Sequence, residues 1–479
     1  MTIWGKKPMK EYTLDQLRRK LERGTVTSRD LVRMYLKQID KYNKNGPALN
    51  AVATTNPEAF KDADRLDRER AKGRVRGPLH GIPVLLKDNI NTKGAMPTTA
   101  SSFALADLYT GSDAFVVKKL RKAGAIILGK TNLSEWAYFM STDKMPSGFG
   151  SLNGQVKSPY GDKIDPLGSS TGSAVAVAAN MIPIAVGTET NGSLTAPAKQ
   201  NMIATIKPTL GLVSRTGIIP ITHLQDTAGP LGRTVKDCAL LLEAISGSDS
   251  RDRITKTATK KRERYSEACG KPIKGMKIGF LAFTNYPDDD IEKELLAEAK
   301  TLFKQAGATV IELTVEATRM NNYYTMIREF KADLNNYLKS VEGKTPIKSL
   351  SDVIAFNAAH AERCLVHGQN ILIEAEQYEG GPNDPDYLEA RRVLIDQAHL
   401  PNNLMREHKL DLIVSAKRTG YAPIAGSPCM SVPARPLTDD NPRNLNLIGK
   451  KWKESDLIKV ASFYERSAVR RVPPNFKVK

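Results

Sequence analysis

The chain has 479 residues, of which 41% are hydrophobic and 26% are charged, and its formal net charge is +19. It contains no run of about 18 or more apolar residues, which argues against a membrane-spanning helix. Its six histidines are dispersed, and its four cysteines form no CxxC pair, which argues against a zinc centre or a dense disulfide framework.

The positive charge is densest between residues 251 and 277, where ten basic residues and three acidic residues occur. A strongly basic protein raises the question of an anionic partner. This segment mixes acids with bases, contains one tyrosine and carries no RNA-binding signature. We therefore interpret it as a solvated connecting segment and expect no nucleic-acid partner.

The N-terminal residues "MTIWGKKPMKEYTLDQL" are basic but contain no apolar segment typical of a signal peptide. This pattern favours a cytoplasmic location. If a leader peptide has been removed, a periplasmic or secreted location is the alternative.

Capping and periodicity predict the first two helices. Thr13 and Gln16 have capping-box spacing at the start of a helix that ends at Arg23. A second helix follows Ser28. Its apolar face consists of Leu31, Tyr35, Leu36, Ile39 and Tyr42.

The next segments alternate between strand and helix. "GIPVLLKDNI" predicts a buried strand that runs into a polar turn. "DAFVVKKLRKAG" followed by "AIILGKT" predicts a helix, a glycine stop and a buried strand, and "SAVAVAANM" followed by "IPIAVGTET" repeats this order. The alternation is typical of an α/β fold.

Two more buried strands are predicted late in the chain, in "MKIGFLAF" and "DLIVSAK". Residues 289 to 408 between them have a mostly helical pattern. The sequence contains no internal repeat and no strong linker. We therefore expect a mixed α/β sandwich around one continuous core.

Two clusters of glycine and hydroxyl residues flank an apolar run in "DPLGSSTGSAVAVAANMIPIAVGTETNGSLTAPA", residues 165 to 198. In the second cluster Gly192 precedes Ser193, and a helix is predicted to begin near Leu194. Such a turn exposes backbone N–H groups that can hold an oxyanion, and it can present a serine nucleophile. The alternative is an ordinary turn.

A serine nucleophile needs a base, and no histidine lies in a suitable motif. Lys87 follows buried strand residues, and burial would lower its pKa towards neutrality. Ser169 or Ser170 could relay the proton. The alternative for "KD" at this point is a surface salt bridge with Asp88.

The chain resembles the amidase signature enzymes over nearly its whole length. The matching segments are "GPLHGIPVLLKDNI", "PTTASS", "AGAIILGKTNLSEWA", "GSSTGSAVAVAAN", "GTETNGSLTAPA", "IKPTLGLVSRTGIIP" and "DTAGPLGRTVKDCALLLEAISG". The sequences of these segments are most similar to those of bacterial peptide amidases. The resemblance implies the amidase signature fold, a central mixed β-sheet sandwiched by helices, in a single domain over residues 1–479. Within it we expect an N-terminal helical region (1–74), a signature core (75–250), a mostly helical cap or layer (251–408), and C-terminal strands and a helix that complete the core (409–479).

The resemblance also implies a Ser–Ser–Lys triad made of Lys87, Ser169 and Ser193. Ser193 would be the nucleophile, and Ser169 would pass its proton to Lys87. The peptide bond after Gly168 would be cis, with Ser170 supporting that loop by hydrogen bonding. The oxyanion hole would be formed by the backbone N–H groups of Thr190, Asn191, Gly192 and Ser193. Amide hydrolysis would then proceed through an acyl-enzyme without a metal or an organic cofactor.

Several positions differ from the usual family pattern. They are Thr171, Ser101, Asn191 and the pair Leu194 and Thr195. None of them is a triad residue, so we expect activity to persist and regard the pocket and its specificity as open.

Three functions are compatible with this resemblance. The first is a hydrolase of carboxamides, with the C-terminal amides of peptides as substrate and ammonia as product. The second is the glutaminase component of a tRNA-dependent amidotransferase, its A subunit. The third is a catalytically silent binding protein with the amidase fold. The expected partner is a small-molecule or peptide amide, with the protein a monomer or a homodimer.

Overall fold

In the part of the chain that the structure describes, the strands form one mixed sheet of eleven strands. The computed structural model describes residues 9–381, 383–435, 442–468 and 471–476. The strands are β1 (Val52–Thr55), β2 (Pro83–Lys87), β3 (Ile126–Thr131), β4 (Ile184–Glu189), β5 (Ala204–Lys207), β6 (Thr227–Gly232), β7 (Lys277–Phe283), β8 (Thr309–Val315), β9 (Leu412–Ser415), β10 (Cys429–Arg435) and β11 (Arg443–Gly449). Their spatial order is β1-β3-β2-β4-β6-β5-β10-β11-β9-β7-β8.

Helices connect and cover these strands. Within the described ranges they are α1 (Leu14–Glu22), α2 (Ser28–Ile39), α3 (Ala59–Ala71), α4 (Phe115–Lys122), α5 (Glu135–Tyr138), α6 (Thr171–Ala178), α7 (Thr195–Gln200), α8 (Val235–Ile245), α9 (Ala258–Lys261), α10 (Asp290–Gln305), α11 (Asn322–Ser340), α12 (Leu350–Ala359), α13 (Ala361–Cys364), α14 (Asn370–Gln377), α15 (Pro385–Ala398), α16 (Leu400–Glu407), α17 (Tyr421–Ala425) and α18 (Glu454–Ala468). A π-helical turn (Asp40–Lys44) extends α2, and short 3-10 turns occupy Phe103–Leu105, Arg253–Thr255 and Tyr265–Ala268. No helix in these ranges is both long enough and apolar enough to cross a bilayer.

The predicted α/β units are confirmed. Thr13 and Gln16 form the capping box of α1, and α2 begins at Ser28. β2 pairs in parallel with both β3 and β4, and every residue of these three strands is buried. Strands covered on both faces require continuous apolar sequence, which is why "PVLLK", "IILGKT" and "IAVGTE" could be recognised.

Strands β1, β5, β6 and β8 were not predicted from the sequence, and β8 lies in the region that was expected to be mostly helical. Residues 289–408 are mostly helical, as predicted, but Thr309–Val315 pairs in parallel with β7 at the edge of the sheet. Only Leu313 of this strand is buried. A partly exposed edge strand lacks the apolar run by which a central strand is recognised.

The main hydrophobic core collects side chains from Leu14 to Tyr464. A second cluster packs α11, α12 and α14 against residues from the 100–145 region and against Ile219 and Ile221. The sheet and its helices confirm the expected amidase-type α/β architecture, and the division into chain regions stays a prediction.

The basic segment 251–277 is more than a solvated connection. Most of its lysines and arginines are exposed, but Tyr265 is fully buried, and Ile273 is buried as well. Arg215 forms an ion pair with Asp252 of this segment. The segment therefore anchors itself on the core while it presents its charges to solvent.

Candidate active site

Lys87 is the last residue of β2 and its side chain is 0% exposed. The strand carries apolar residues before it, so the side chain extends into the interior where the strand ends. Its Nζ donates to Ser169 Oγ at 2.8 Å and to Thr188 Oγ1 at 2.8 Å. A lysine amine thus lies in direct contact with a buried serine hydroxyl.

The expected alternative, a surface salt bridge between Lys87 and Asp88, does not occur. The Asp88 carboxylate instead accepts a hydrogen bond from Lys130 Nζ at 2.9 Å, and both of these side chains are buried. Within the described ranges no carboxylate forms an ion pair with Lys87. Lys130 and Lys87 are both buried, but among the described residues Lys130 is paired with a carboxylate and Lys87 is not.

Burial lowers the pKa of Lys87 to about 7. Loss of hydration disfavours the ammonium form, and the charges of Asp226 and Glu189 oppose this effect. At neutral pH a substantial fraction of Lys87 is therefore the neutral amine, which can accept a proton.

Thr188 offers two acceptors to the Lys87 amine, the hydroxyl at 2.8 Å and the backbone carbonyl at 3.4 Å. Asn89 Nδ2 donates to the same hydroxyl at 3.0 Å. A neutral amine can direct both of its N–H groups to Thr188 and its lone pair to the Ser169 hydroxyl. An ammonium adds a third donated bond to Ser169. The pocket therefore accommodates both protonation states of Lys87 without rearrangement.

Ser169 lies in the loop between residue 165 and α6 and is fully buried. The Gly168–Ser169 peptide bond is cis, as expected from the resemblance. The Ser170 hydroxyl donates to the Thr188 carbonyl at 2.9 Å and accepts from the Thr188 N–H at 3.2 Å. Ser170 thus ties this loop to β4.

The turn of residues 190–193 lies between β4 and α7. Gly192 has a φ of +92°, a conformation that glycine adopts readily. Within the described part of the chain, none of the four backbone N–H groups of this turn has a hydrogen-bond acceptor. Free N–H groups that precede a partly exposed Ser193 can receive the oxygen of a substrate carbonyl.

The two serine loops are joined through the backbone. The Ser170 N–H donates to the Ser193 carbonyl at 3.2 Å. Among the described residues no hydrogen bond links the hydroxyls of Ser169 and Ser193. The structure therefore joins Lys87 to Ser169 by side chains and places Ser193 beside them through the neighbouring residue.

Two carboxylates shape the 190–193 turn. Glu189 Oε2 accepts from the N–H groups of Leu194 at 2.8 Å and Thr195 at 3.0 Å. The Thr190 hydroxyl donates to Asp226 Oδ1 at 2.5 Å. The carboxylates hold the chain on either side of the turn and leave the N–H groups of the turn free.

Two of the positions that differ from the family pattern, Leu194 and Ser101, make contacts close to the candidate active site. A Cβ atom on Gly187 would lie 2.8 Å from Leu194 Cδ2, and one on Gly229 would lie 2.6 Å from Leu194 Cδ1. The Leu194 side chain therefore occupies the space that these two glycines leave open. Ser101 Oγ accepts from the Leu133 N–H at 3.3 Å.

The segment after β9 crosses over the 190–193 turn. A Cβ atom on Gly420 would lie 3.3 Å from Asn191 Nδ2, and one on Gly192 would lie 2.8 Å from Arg418 Cζ. The exposed Arg418 guanidinium thus rests against the Cα of Gly192. Sequence reasoning assigned no role to this segment.

In the described ranges, one three-residue group brings potential metal-ligating atoms within 4.8 Å of one another, namely His223, Glu329 and Asp333. His223 Nδ1 lies 2.9 Å from Asp333 Oδ2. Tyr387 donates to Glu329 at 2.7 Å, and Thr222 donates to the same carboxylate. These protein hydrogen bonds already account for the group.

The family model described as Amidase matches residues 30–423. The chain belongs to the amidase signature family. A probable amidase of Arabidopsis thaliana is 38% identical over 480 residues, which cover 98% of this chain and 92% of that protein. The solved native peptide amidase of Stenotrophomonas maltophilia is 39% identical with a TM-score of 0.90, and the match covers 98% of this chain and 99% of that one. The A subunit of the glutamyl-tRNA(Gln) amidotransferase of a Synechococcus strain is 32% identical over 489 residues, covering 96% of this chain and 97% of that protein.

The protein is therefore an amide-hydrolysing enzyme of this family, as the motifs predict. The Ser–Ser–Lys triad is a property of the amidase signature family as a whole, and the candidate residues of this amidase are gathered at one place. Sequence reasoning assigned no role to Thr188, which contacts Lys87, to Asn89, which contacts Thr188, or to Asp226, which contacts Thr190. Thr188 stands in the quoted motif "GTETNGS", but its contact with Lys87 becomes visible only when β2 is placed beside β4.

Proposed function

We propose that this amidase hydrolyses the C-terminal carboxamide of peptides and releases ammonia, with Ser193 as nucleophile, Ser169 as proton relay and Lys87 as base. The observation that carries the proposal is the 2.8 Å contact between Lys87 Nζ and Ser169 Oγ in a fully buried pocket. An amine of near-neutral pKa in contact with a hydroxyl can accept a proton through that hydroxyl, and this supports the proposed roles of Lys87 and Ser169.

Acylation begins when Ser193 Oγ attacks the substrate carbonyl carbon. Its proton passes to Ser169 Oγ, while the Ser169 proton passes to the neutral Lys87 amine. The Ser170 N–H donates to the Ser193 carbonyl, and this bond keeps the two serine loops adjacent for the relay. The negative charge that develops on the carbonyl oxygen is received by the N–H groups of Thr190, Asn191, Gly192 and Ser193.

Collapse of the tetrahedral intermediate breaks the C–N bond. The Lys87 ammonium returns its proton through Ser169 to the leaving nitrogen, and ammonia departs. Water then attacks the Ser193 ester by the same proton route and releases the peptide acid. Thr188 holds the Lys87 amine in position in both halves of the cycle.

The peptide substrate is supported by similarity. The solved peptide amidase from Stenotrophomonas maltophilia matches this chain over 98% of its length at 39% identity. The motifs "GTETNGS" and "QDTAGP" point in the same direction.

The test measures ammonia release from peptide amides, short aliphatic amides, aryl amides and L-glutamine. We expect N-acylated peptide amides to have the highest kcat/KM. Ser193→Ala should lower turnover by about 10⁴-fold or more, Lys87→Ala nearly as much, and Ser169→Ala should leave a small residual activity. The exposed Ser112→Ala is the matched control and should retain full activity. Near-normal rates for Lys87→Ala at pH 7 to 8 would show that the base is another group.

The glutaminase component of an amidotransferase is the second candidate, favoured by the 32% identity to such a protein over 96% of the chain. In that case the purified chain would release ammonia from glutamine only after its partner proteins are added. Hydrolysis of peptide amides by the isolated chain decides against it. Labelling of Ser193 by a fluorophosphonate probe separates both enzymes from a silent binding protein.

A further inference from the structure

An arginine stands beside the candidate oxyanion turn. A Cβ atom on Gly192 would lie 2.8 Å from Arg418 Cζ and 3.4 Å from its Nε, and it would be closer still to Nη1. The guanidinium therefore lies against the backbone that directly precedes Ser193. Gly192 permits this approach because it has no side chain.

Arg418 has no carboxylate partner in the part of the chain that the structure describes. The adjacent Lys417 forms an ion pair with Glu292. Arg443 pairs with Asp289 at 3.1 Å. Glu292 and Asp289 are thus paired with other cations, and Arg418 is left exposed.

The backbone that carries Arg418 is anchored on both sides. The Lys417 N–H donates to Ser415 Oγ at 3.1 Å, and Asn446 Nδ2 donates to the Ala416 carbonyl at 3.1 Å. Beyond the arginine, the hydroxyl of the buried Tyr421 accepts from the Thr318 N–H at 2.8 Å. The guanidinium is therefore attached to a fixed stretch of chain.

A second cation without an ion-pair partner among the described residues lies nearby on α7, which follows Ser193. Burial lowers the pKa of Lys199, and neighbouring cations lower it further. These cations are Arg443, Arg418 and Lys417, and the Glu292 carboxylate acts on the pKa in the opposite direction. Arg418 and Lys199 therefore place positive charge beside the 190–193 turn, whose own carboxylates, Glu189 and Asp226, already accept hydrogen bonds from the turn and its flanks. The exposed positive charge of Arg418 favours an anionic group on the substrate.

We propose that Arg418 binds a carboxylate on the acyl part of the substrate, so that the enzyme prefers peptide amides whose C-terminal residue is aspartate or glutamate. The inference rests on the proposed function and names its substrate class. A guanidinium presents a planar set of N–H donors that matches a carboxylate in two parallel hydrogen bonds. Arg418 is a specificity residue in this proposal and takes no part in proton transfer.

The experiment compares N-acetyl dipeptide amides that end in glutamate, norleucine or lysine, three side chains of similar length. In the wild-type enzyme we expect kcat/KM for the glutamate amide to exceed that for the norleucine amide about tenfold, mainly through KM. Arg418→Gln should remove this preference, and Arg418→Glu should shift it towards the lysine amide. Arg264→Gln, which removes an exposed arginine from the basic segment, is the control and should keep the wild-type ratio.

Equal kcat/KM for the glutamate and norleucine amides in the wild type would overturn the inference. An equal loss of kcat/KM for all three substrates in Arg418→Gln would overturn it as well, because the arginine would then act on a step common to all amides and not on the substrate carboxylate. If no peptide amide is hydrolysed, the proposed function fails, and the pair succinamate and butyramide then tests Arg418. A succinamate preference that is lost in Arg418→Gln supports the carboxylate site, and equal rates refute it.

Discussion

Replacing Lys87 by methionine should abolish activity and stabilise the fold at neutral pH. The side chain is fully buried and has no ion-pair partner within the described ranges. A fall of its pKa from 10.5 to about 7 corresponds to roughly 4–5 kcal/mol of destabilisation when the folded protein must hold the ammonium. Loss of the hydrogen bonds to Ser169 and Thr188 opposes this gain by about 1–3 kcal/mol. The net expectation is a variant more stable by roughly 2 kcal/mol at pH 7.

The advantage of Lys87→Met should depend on pH in a defined direction. Below pH 7 both the folded and the unfolded chain hold the proton, and the full penalty of a buried ammonium is present. Between about pH 7 and pH 10.5 the folded protein has released the proton while the unfolded chain retains it, so wild-type stability rises with pH. The difference between variant and wild type should therefore shrink across this range and end at or below zero.

Guanidinium denaturation of both proteins at pH 6, 7, 8.5 and 10 measures this difference. At each pH the free energy of unfolding of the wild type is subtracted from that of Lys87→Met, and the contributions of the other buried lysines cancel in this difference. Lys130→Met is the matched contrast because Lys130 is equally buried but paired with Asp88. Its removal leaves a buried carboxylate alone and should destabilise the fold by about 3–5 kcal/mol. If Lys87→Met is also destabilised at pH 7, the interpretation of Lys87 as a strongly desolvated amine is refuted.

Three further predictions concern the surroundings of Lys87. The value of kcat/KM should rise with pH through a kinetic pKa near 7. Asp226→Asn should lower that kinetic pKa, because the Asp226 charge raises the pKa of the Lys87 amine. Ammonia release measured from pH 5 to 9 would contradict this if the pH profiles of wild type and variant coincide. Thr188→Val removes a hydrogen-bond acceptor of Lys87 and should lower kcat/KM about tenfold, and Thr188→Ser should restore it. An unchanged kcat/KM for Thr188→Val would argue against a role of Thr188 in positioning Lys87. Gly187→Ala would place a Cβ atom 2.7 Å from Ser170 Oγ and should destabilise the fold by about 1–3 kcal/mol; a wild-type denaturation midpoint would show that the loop yields instead.

Much of the fold could be predicted because its central strands are buried on both faces. β2, β3 and β4 required continuous apolar sequence, and Gly124 marked the end of the helix before β3. The partly exposed β8 lacked this signal. Local pattern was also insufficient for β5 and β6, which are fully buried but whose sequences "ATIK" and "TAGPLG" contain few large aliphatic residues.

The residues of the candidate site also fall into those that could be predicted from local sequence and those that could not. Local chemistry suggested Lys87 as a base and Ser193 as a nucleophile and left the relay open between Ser169 and Ser170, and the resemblance to the amidase signature family implied Ser169. The contact of Thr188 with Lys87 depends on which strands pair. The position of Arg418 depends on the path of a loop from a distant strand across the turn. Both are consequences of tertiary arrangement, and no short stretch of sequence contains them.

The pairing of β2 with β4 makes the environment of Lys87 a product of tertiary folding. Lys87 and Thr188 are separated by 101 positions along the chain, and they meet only because these strands are neighbours in the sheet. Before that pairing forms, Lys87 is a hydrated amine with the ordinary lysine pKa of 10.5, and it is protonated at neutral pH. If Lys87 is the base, as we propose, a chain in which these two strands are not paired lacks a proton acceptor at this site. Turnover would then report on closure of the central sheet.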